Sequence, residues 1–235
     1  MTDTPLLELR DVAVRRGGAA EGFRLDIMAL SLPRGGRLAL LGASGSGKST
    51  LLEVLALAAP PASAALFRFA PDAALDVADA WQRDARALDA CRARHVGYVL
   101  QTGALLPFLS IGDNIALQAE LGNAPAMGRV RELAGRLGIA DHLNKLPAAL
   151  SVGQRQRAAI ARALVHRPAL LLADEPTASV DPAMAVEVLD LLMAETEAAG
   201  AALVLASHDH VAVARLGLPV LRFEATRGHA RAVPG

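Results

Sequence analysis

The sequence has 235 residues, 53% of them hydrophobic, and its 24 basic side chains balance its 24 acidic ones. A chain of this length and composition can bury a sizeable core, which excludes general disorder and fits one large domain. The zero net charge excludes the broad basic field that captures nucleic acid, so we expect no nucleic-acid partner.

Cysteine content and the lengths of the apolar runs limit the cellular compartments in which we expect this protein. The single cysteine, Cys91, excludes an internal disulfide framework and a multi-cysteine metal site, and it fits a reducing compartment. The first residues lack a signal-peptide pattern, and no charge-free apolar run approaches the ~18–20 residues that span a bilayer. We therefore expect a cytoplasmic polypeptide, whatever it docks onto.

The N-terminal third predicts strands. Residues 6–14 and 23–27 alternate between apolar and polar side chains, and Gly17-Gly18 between them favours a turn, so we expect an antiparallel pair. A turn at 33–36 leads into an apolar strand at 38–41. Beyond Pro60-Pro61, residues 65–69 predict a strand that returns to the antiparallel sheet.

Residues 42–50 form the phosphate-loop pattern G-x-x-x-x-G-K-[ST], between a predicted buried strand and an apolar helix start. Its glycines let successive backbone N–H groups point to one centre, and the helix N-terminus adds positive potential, so polyphosphate is the expected ligand. Lys48 is expected to reach the terminal phosphates and Ser49 to bind Mg²⁺. A Gly/Ser-rich linker would have no reason to place Lys-Ser-Thr before an apolar helix. The predicted nucleotide-binding residues are Gly42, Ser44, Gly45, Ser46, Gly47, Lys48, Ser49 and Thr50.

Helices dominate the middle of the chain. Residues 75–94 predict one surface helix, in which Trp81 is either a packing anchor or a partner-binding aromatic. A buried strand at 95–100 ends at Gln101, and the apolar, turn-rich segment 103–109 must fold inward or face a partner. Residues 111–164 predict helices with breaks near 122, 138 and 147, and Ser151 is a candidate N-cap for the last of them.

The C-terminal third predicts a parallel sheet. Apolar strands at 169–173 and 202–206 flank a helix around 184–197 that stops at Gly200, which indicates strands buried on both faces. A final strand is predicted at 220–223, and the short tail after it is not expected to hold a regulatory domain.

An acidic pair follows the strand at 169–173. Asp174 is expected to help hold Mg²⁺, and Glu175, one residue on, is placed to orient or deprotonate an attacking water. Adjacent carboxylates have no structural use directly after a buried strand, whereas ligands bind at the carboxyl ends of strands in α/β sheets.

Together these motifs resemble an ATP-binding cassette ATPase, the nucleotide-binding subunit of ABC transporters, from about residue 6 to about residue 223. The ordered set comprises 42–50, Gln101, 150–154, 170–175, 179–181 and His208. The resemblance implies a single α/β domain over 1–235 with a P-loop NTPase (RecA-like), mostly parallel core sheet. It further implies an antiparallel β subdomain, about 1–37 and 62–72, and an inserted α-helical subdomain, about 103–165.

The resemblance also implies roles. Gln101 resembles the glutamine that touches the metal and the attacking water, and His208 the switch histidine at the γ-phosphate. Ser151, Gly153 and Gln154 resemble the signature motif, which faces the nucleotide of a second subunit, and Asp181 the dimer-interface aspartate. With ATP and Mg²⁺ as cofactors, the expected catalytic residues are Glu175, His208, Gln101 and Lys48, and the expected metal ligands are Ser49, Gln101 and Asp174.

Two positions depart from the family pattern. Val152 stands where the signature motif usually has glycine, and a β-branched side chain there could crowd the opposite nucleotide. No aromatic residue lies near 14–16 to stack on adenine, although the guanidinium plane of Arg16 could do so.

Short stretches at 105–107, 113–115 and 173–177 are similar to the subclass that serves lipoprotein release, macrolide export and the related cell-division complex. We expect a homodimer on the cytoplasmic side of the inner membrane, peripheral to a permease-type subunit that docks near Leu105–Leu109. Two alternatives remain open: a non-transporting signalling or secretion-regulating ATPase, and a slow nucleotide-dependent clamp. A soluble cassette of DNA repair or translation is disfavoured, because about 125 residues between Lys48 and Asp174 leave no room for a long coiled coil.

Overall fold

The computed structural model describes residues 4–17, 22–122, 127–178, 180–226 and 228–234. The chain divides into two compact units, the first formed by residues 1–92 and 202–235 and the second by residues 93–201.

Strands and helices are numbered along the chain. The strands are β1 (Leu7–Arg16), β2 (Phe23–Leu32), β3 (Arg37–Leu41), β4 (Leu66–Phe69), β5 (Leu75–Asp76), β6 (Val96–Val99), β7 (Leu170–Asp174), β8 (Ala202–Ser207), β9 (Val220–Thr226) and β10 (His229–Pro234). The helices are α1 (Lys48–Leu55), α2 (Val77–Arg83), α3 (Ala85–His95), α4 (Ile111–Leu121), α5 (Met127–Arg136), α6 (Val152–Leu164), α7 (Pro182–Ala199) and α8 (His210–Leu216), with short 3-10 turns at Ala140–His142 and Pro147–Ala149.

The first unit contains a sheet with the strand order β5-β4-β1-β2-β10-β9-β3-β8. β1 pairs antiparallel with β2 and β4, as the alternating N-terminal patterns predict. β3 pairs parallel with β8 and β9. Leu7 and Leu9 of β1 and Leu25 and Ile27 of β2 are fully buried, and removal of their apolar surface from water stabilises the sheet.

The C-terminal tail forms more strand than the sequence predicts. β9 extends to Thr226, and the missed strand β10 pairs antiparallel with β9 and parallel with β2. The His229 Nε2 lies 2.8 Å from the Asp26 Oδ2, which ties β10 to β2. Of the side chains described in residues 229–233, only those of Ala230 and Ala232 are buried, and alanines between arginine and histidine do not produce the apolar alternation that predicts a strand.

The single helix predicted over 75–94 is wrong: α2 and α3 are separate. The Asp76 side chain accepts a hydrogen bond from the Asp79 amide at 3.0 Å and caps α2. The Asp84 side chain accepts one from the Ala87 amide at 3.1 Å, which begins α3. The backbone of Asp84 leaves the helical conformation (φ −149°, ψ 73°), so each aspartate starts its own helix. Trp81 is half-buried in α2.

The second unit contains the parallel pair β6–β7 and packs its helices around α6. α6 contacts α4, α5 and α7, and its residues Ala158–Ala161 are fully buried. Gly97 of β6 permits a close approach, because a Cβ there would lie 2.1 Å from the Ala163 carbonyl oxygen. The predicted break at Gly122 and the Ser151 N-cap are confirmed, while Asn123 lies outside the described residues. The predicted breaks near 138 and 147 belong to one stretch between α5 and α6 that has two 3-10 turns and no α-helix.

In the part of the chain that the structure describes, no helix combines the length and apolarity that a bilayer crossing requires.

Candidate functional site

The phosphate loop, residues 42–50, leaves β3 and enters α1. Gly45 and Gly47 adopt left-handed backbone conformations, with φ 76° and 104°. A Cβ on Gly42 would lie 2.6 Å from the Ser46 Oγ, and one on Gly47 would lie 2.9 Å from the ring of Phe23. The tight loop therefore needs glycine at position 45 for conformation, at position 42 for space and at position 47 for both.

Polar groups converge inside this loop. Lys48 is buried, and its Nζ donates to the carbonyl oxygens of Gly42 at 2.7 Å and Ala43 at 3.0 Å. The Ser46 Oγ is buried and has no hydrogen-bond partner among the described residues. Gly47 is the N-cap of α1 and offers no side chain to its first amides. An orphaned hydroxyl, a lysine and an uncapped helix N-terminus fit a phosphate group.

His208 leaves the sheet at the same edge as the phosphate loop. β3 and β8 are adjacent and parallel, with Leu41 opposite Ser207, so Gly42 and His208 are the first residues beyond two neighbouring strand ends. The Ser207 Oγ accepts from the Asp209 amide at 3.0 Å, and the Asp209 carboxylate accepts from the amides of Val211 and Ala212 at 2.9 Å. These bonds shape the turn that carries the exposed His208.

In the second unit, Gln101 and Asp174 emerge at one edge in the same way. β6 and β7 are parallel, with Val99 opposite Ala173, so Asp174 ends β7 one residue after that pair and Gln101 follows two residues after it. Burial raises the pKa of the Tyr98 phenol, and the Asp174 carboxylate raises it further.

Glu175 stands in an unfavourable backbone conformation. Its φ is 43°, in the left-handed region that side chains other than glycine rarely adopt. The Ala178 amide donates to its carbonyl oxygen at 3.1 Å, which closes the turn after β7. Strain of this kind persists where the surroundings fix the residue, and it concentrates at functional sites.

The segment after Gln101 is anchored at two places. The Arg162 guanidinium on α6 donates to the carbonyl oxygens of Gly103 and Ala104, both at 2.7 Å. Asn114 on α4 is fully buried: its Oδ1 accepts from the Leu106 amide at 2.7 Å, and its Nδ2 lies 3.0 Å from the Leu106 carbonyl oxygen. Phe108, at the tip, is 74% exposed.

The signature residues 151–154 form the first turn of α6. The Ser151 Oγ accepts from the Gln154 amide at 3.2 Å, and the Gln154 Oε1 accepts from the Ser151 amide at 2.9 Å, which completes a capping box. Gly153 is buried, and a Cβ there would lie 2.2 Å from the Met184 Sδ. Val152 is 41% exposed.

Asp181 caps the neighbouring helix. Its carboxylate accepts from the amides of Ala183 and Met184 at 3.1 Å, and Pro182 occupies the first turn of α7. Ser179, in the same motif, lies outside the described residues.

The sequence prediction did not identify the two anchors of the 103–109 segment. Asn114 belongs to the stretch 113–115 that resembles the family, but nothing in the linear pattern assigns it to the backbone of residues 106–110. Arg162 lies among many arginines in a helix, so only its contacts distinguish it. Arg16, considered for stacking on adenine, pairs with Glu53 on α1.

In the described part of the chain, no group of three or more histidine, cysteine, aspartate and glutamate side chains is arranged to hold a metal. In the first unit, Ser49 offers a hydroxyl at the exposed start of α1. In the second unit, Gln101 and Asp174 offer an amide and a carboxylate oxygen at the edge of β6 and β7. Oxygen donors of these types are the ligands that Mg²⁺ prefers.

Comparisons with known proteins agree with this geometry. The family model described as ABC transporter matches residues 25–178. The lipoprotein-releasing system ATP-binding protein LolD of Shewanella denitrificans is 35% identical over 91% of this chain and 90% of its own length. The probable export ATP-binding/permease protein MacB of Pseudomonas entomophila is 39% identical over 87% of this chain, which spans only 30% of that relative.

A solved structure extends the agreement to the whole fold. The dimeric, post-hydrolysis form of the ATP-binding cassette MJ0796, bound to ADP and Pi, matches with a TM-score of 0.81 and 28% identity, over 97% of this chain and 98% of that one. The predicted P-loop NTPase fold is confirmed. The chain belongs to the ABC transporter family, as an ATP-binding and ATP-hydrolysing cassette.

Proposed function

We propose that this cassette works as a homodimer in which two copies bind two MgATP head to tail and drive conformational change in a membrane partner. Each copy supplies its phosphate loop to one nucleotide and its signature motif to the other. The observation that supports this proposal most directly is the exposed start of α6, at Ser151 and Val152. It is a second helix N-terminus, separate from the one at the phosphate loop. Such a terminus attracts anions, and a second chain can bring the phosphate to it. The dimeric state of the similar MJ0796 cassette supports this arrangement.

The residues divide the chemistry among them. Ser49, Gln101 and Asp174 would hold Mg²⁺, which when bound would neutralise charge at the phosphate oxygens. Glu175 orients the attacking water and accepts its proton. Lys48 and His208 hold the γ-phosphate and stabilise the charge that develops on it. Remaining loop residues position the phosphate chain through their amides and hydroxyls: Gly42, Ser44, Gly45, Ser46, Gly47 and Thr50.

The partner we propose is an integral permease-type subunit that docks near Leu105–Leu109. Phe108 offers apolar surface there, while Arg162 and Asn114 hold the segment against α6 and α4. The relatives named for lipoprotein release and for export support a membrane complex of that subclass. A cassette docked in this way would lie at the periphery of the inner membrane, on its cytoplasmic side. We propose no nucleic-acid partner for it.

The subdomain division predicted from the sequence remains part of this proposal. The antiparallel pairing of β1 with β2 and β4 supports a β subdomain, and the helices α4, α5 and α6 support a helical one. The relatives' names do not favour the non-transporting signalling alternative. The slow clamp, motivated by Val152, is distinguished by complete loss of basal and partner-stimulated ATPase with ATP binding intact.

The Glu175→Gln variant tests the proposal. Without its water-orienting carboxylate it should retain ATP and accumulate a dimer, measured by size-exclusion chromatography with light scattering at saturating MgATP. A matched Lys48→Ala/Glu175→Gln chain should stay monomeric because it binds nucleotide weakly. A Glu175→Gln chain that remains monomeric with bound MgATP contradicts the head-to-tail dimer. The same variant, used as bait in detergent-solubilised membranes, identifies the membrane subunit.

A further inference from the structure

A polar chain of contacts runs from the signature motif to a surface turn that the proposed function does not use. The Gln154 Nε2 lies 2.9 Å from the Nε2 of His142, and the His142 Nδ1 lies 3.0 Å from the Lys145 Nζ. At its other end Gln154 closes the capping box on Ser151. His142 is half-buried, whereas Lys145 is exposed.

Proton counting shows that these contacts compete. The Gln154 Oε1 accepts from the Ser151 amide, so its Nε2 is an amide donor that needs a lone pair on the His142 Nε2. The protonated Lys145 is also a donor and needs a lone pair on Nδ1. A neutral imidazole has one lone pair in the ring plane, so it accepts from Gln154 or from Lys145 and not from both.

Each tautomer has a different consequence for the signature motif. With the proton on Nδ1, His142 accepts from Gln154, and the capping box over Ser151 is complete. With the proton on Nε2, His142 accepts from Lys145, and the Gln154 amide faces a donor. Gln154 must then turn its amide, which places an NH₂ group against the Ser151 amide and opens the capping box.

The backbone holds His142 in place for this competition. Its amide donates to the Ile139 carbonyl oxygen at 3.0 Å, and the Lys145 amide donates to the His142 carbonyl oxygen at 2.9 Å. The amides of Ile111 and Gly112, at the start of α4, donate to the carbonyl oxygens of Lys145 and Leu143 at 2.9 and 2.8 Å. The ring therefore stands on a turn that is fixed at both sides.

We propose that His142 is a positioning residue of the signature motif. Its Nε2 lone pair holds Gln154 in the capping box and so orders the helix N-terminus at Ser151, while Lys145 opposes this by favouring the other tautomer. The consequence for turnover rests on the proposed function, in which that N-terminus meets the nucleotide of the second copy. The consequence for local order does not.

Local order is measured first, in the isolated chain. Long-range ¹⁵N–¹H correlation spectra of the imidazole should place the His142 proton on Nδ1. His142→Phe keeps a ring but has no lone pair, so hydrogen exchange of the Ser151 amide should accelerate about 10-fold, the equivalent of one hydrogen bond. His142→Gln supplies an acceptor oxygen and should restore exchange to within about 2-fold of the wild type. Lys145→Met should slow the exchange, because it removes the donor that favours the opposing tautomer; faster exchange in this variant would contradict the opposing role of Lys145.

Turnover is measured second. In His142→Phe the ATP concentration at half-maximal rate should rise about 10-fold with kcat changed less than about 2-fold, and His142→Gln should restore it. Asn144→Ala, on the same turn, is the matched control and should match the wild type. An Nε2-protonated His142, or equal Ser151 exchange in the Phe and Gln variants, overturns the proposal. If Glu175→Gln fails to dimerise, the head-to-tail function fails, whereas the ring spectrum and the exchange rates still decide the role of His142.

Discussion

Gly153 approaches Met184 so closely that a Cβ on the glycine would lie 2.2 Å from the methionine Sδ. The resemblance assigns Gly153 to the opposite nucleotide, and the structure adds that it lets α6 approach α7. A substitution of Gly153 can therefore lower stability through the packing against Met184, and it can lower activity separately through the contact expected with the opposite nucleotide.

A pair of substitutions separates those causes. Gly153→Ala should lower the free energy of unfolding by about 1–2 kcal/mol, because Met184 must move to admit the methyl group. Gly153→Ala/Met184→Ala should recover most of this in urea unfolding, since the clash is removed. If the double variant regains stability but not ATPase, the methyl group also obstructs the nucleotide; equal destabilisation of both variants would mean that Met184 is not the obstacle.

Val152 should limit turnover. Its exposed, β-branched side chain at the first position of α6 stands where the composite site would meet the second nucleotide, so Val152→Gly should raise kcat for ATP hydrolysis. Val152→Ala, which removes the branch but keeps a Cβ, is the matched control and should give an intermediate rate. Unchanged turnover in both would show that valine is harmless at this position.

The left-handed backbone of Glu175 predicts a trade between stability and activity. Glu175→Gly should be more stable than Glu175→Ala by about 1 kcal/mol in chemical denaturation, because glycine adopts φ 43° without strain. Both variants should lose ATPase by about 10²-fold or more, since neither carries the carboxylate. Equal stability of the two would show that this conformation costs little.

His166 predicts a pH dependence of folding. Burial lowers its pKa to about 4, while its Nε2 lies 3.2 Å from the Val96 carbonyl oxygen. Between pH 6.5 and 4 the unfolded chain binds a proton that the folded chain does not, so acid favours unfolding in that window. Across this pH window the protonation of His166 should lower the free energy of unfolding by about 3 kcal/mol. Above pH 6.5 the neutral His166 should contribute its full share of stability.

His166→Gln is the control for that slope. The glutamine amide keeps a donor for Val96 but does not titrate, so the variant should lose less stability than the wild type between pH 6.5 and 4, measured by urea unfolding. Parallel pH profiles would place the acid sensitivity elsewhere.

Arg162 should control the order of the segment that follows Gln101. Burial lowers the pKa of Arg162, and its guanidinium holds two carbonyl oxygens of that segment. Arg162→Met should increase hydrogen exchange across residues 101–110 by about 10-fold or more, because both charge-assisted bonds are lost. Arg157→Met, on the same helix but paired with Glu187, should leave this segment unchanged. Unaltered exchange in Arg162→Met would show that Asn114 alone anchors the segment.

Local patterns in the sequence predicted most elements of the fold. Apolar runs and alternation located β1, β2, β3, β7 and β8, because burial on one or both faces of a sheet leaves a direct mark on the sequence. They missed β10, in which arginine and histidine alternate with two small inward residues, and they joined α2 to α3, because the helical period continues across Asp84 while its side chain starts a new helix.

The sequence alone determined that this chain carries a phosphate loop, an acidic pair after a buried strand, and a serine-capped signature helix, since each chemistry needs particular residue types at short spacing. Only the tertiary structure decided which residues support them. Parallel pairing brought His208 to the strand edge of the phosphate loop. Long-range contacts gave Asn114, Arg162 and His142 their partners. These contacts join residues 8 to 59 positions apart that lie in different elements or turns, and the periodic pattern within one helix or strand carries no signal about such partners.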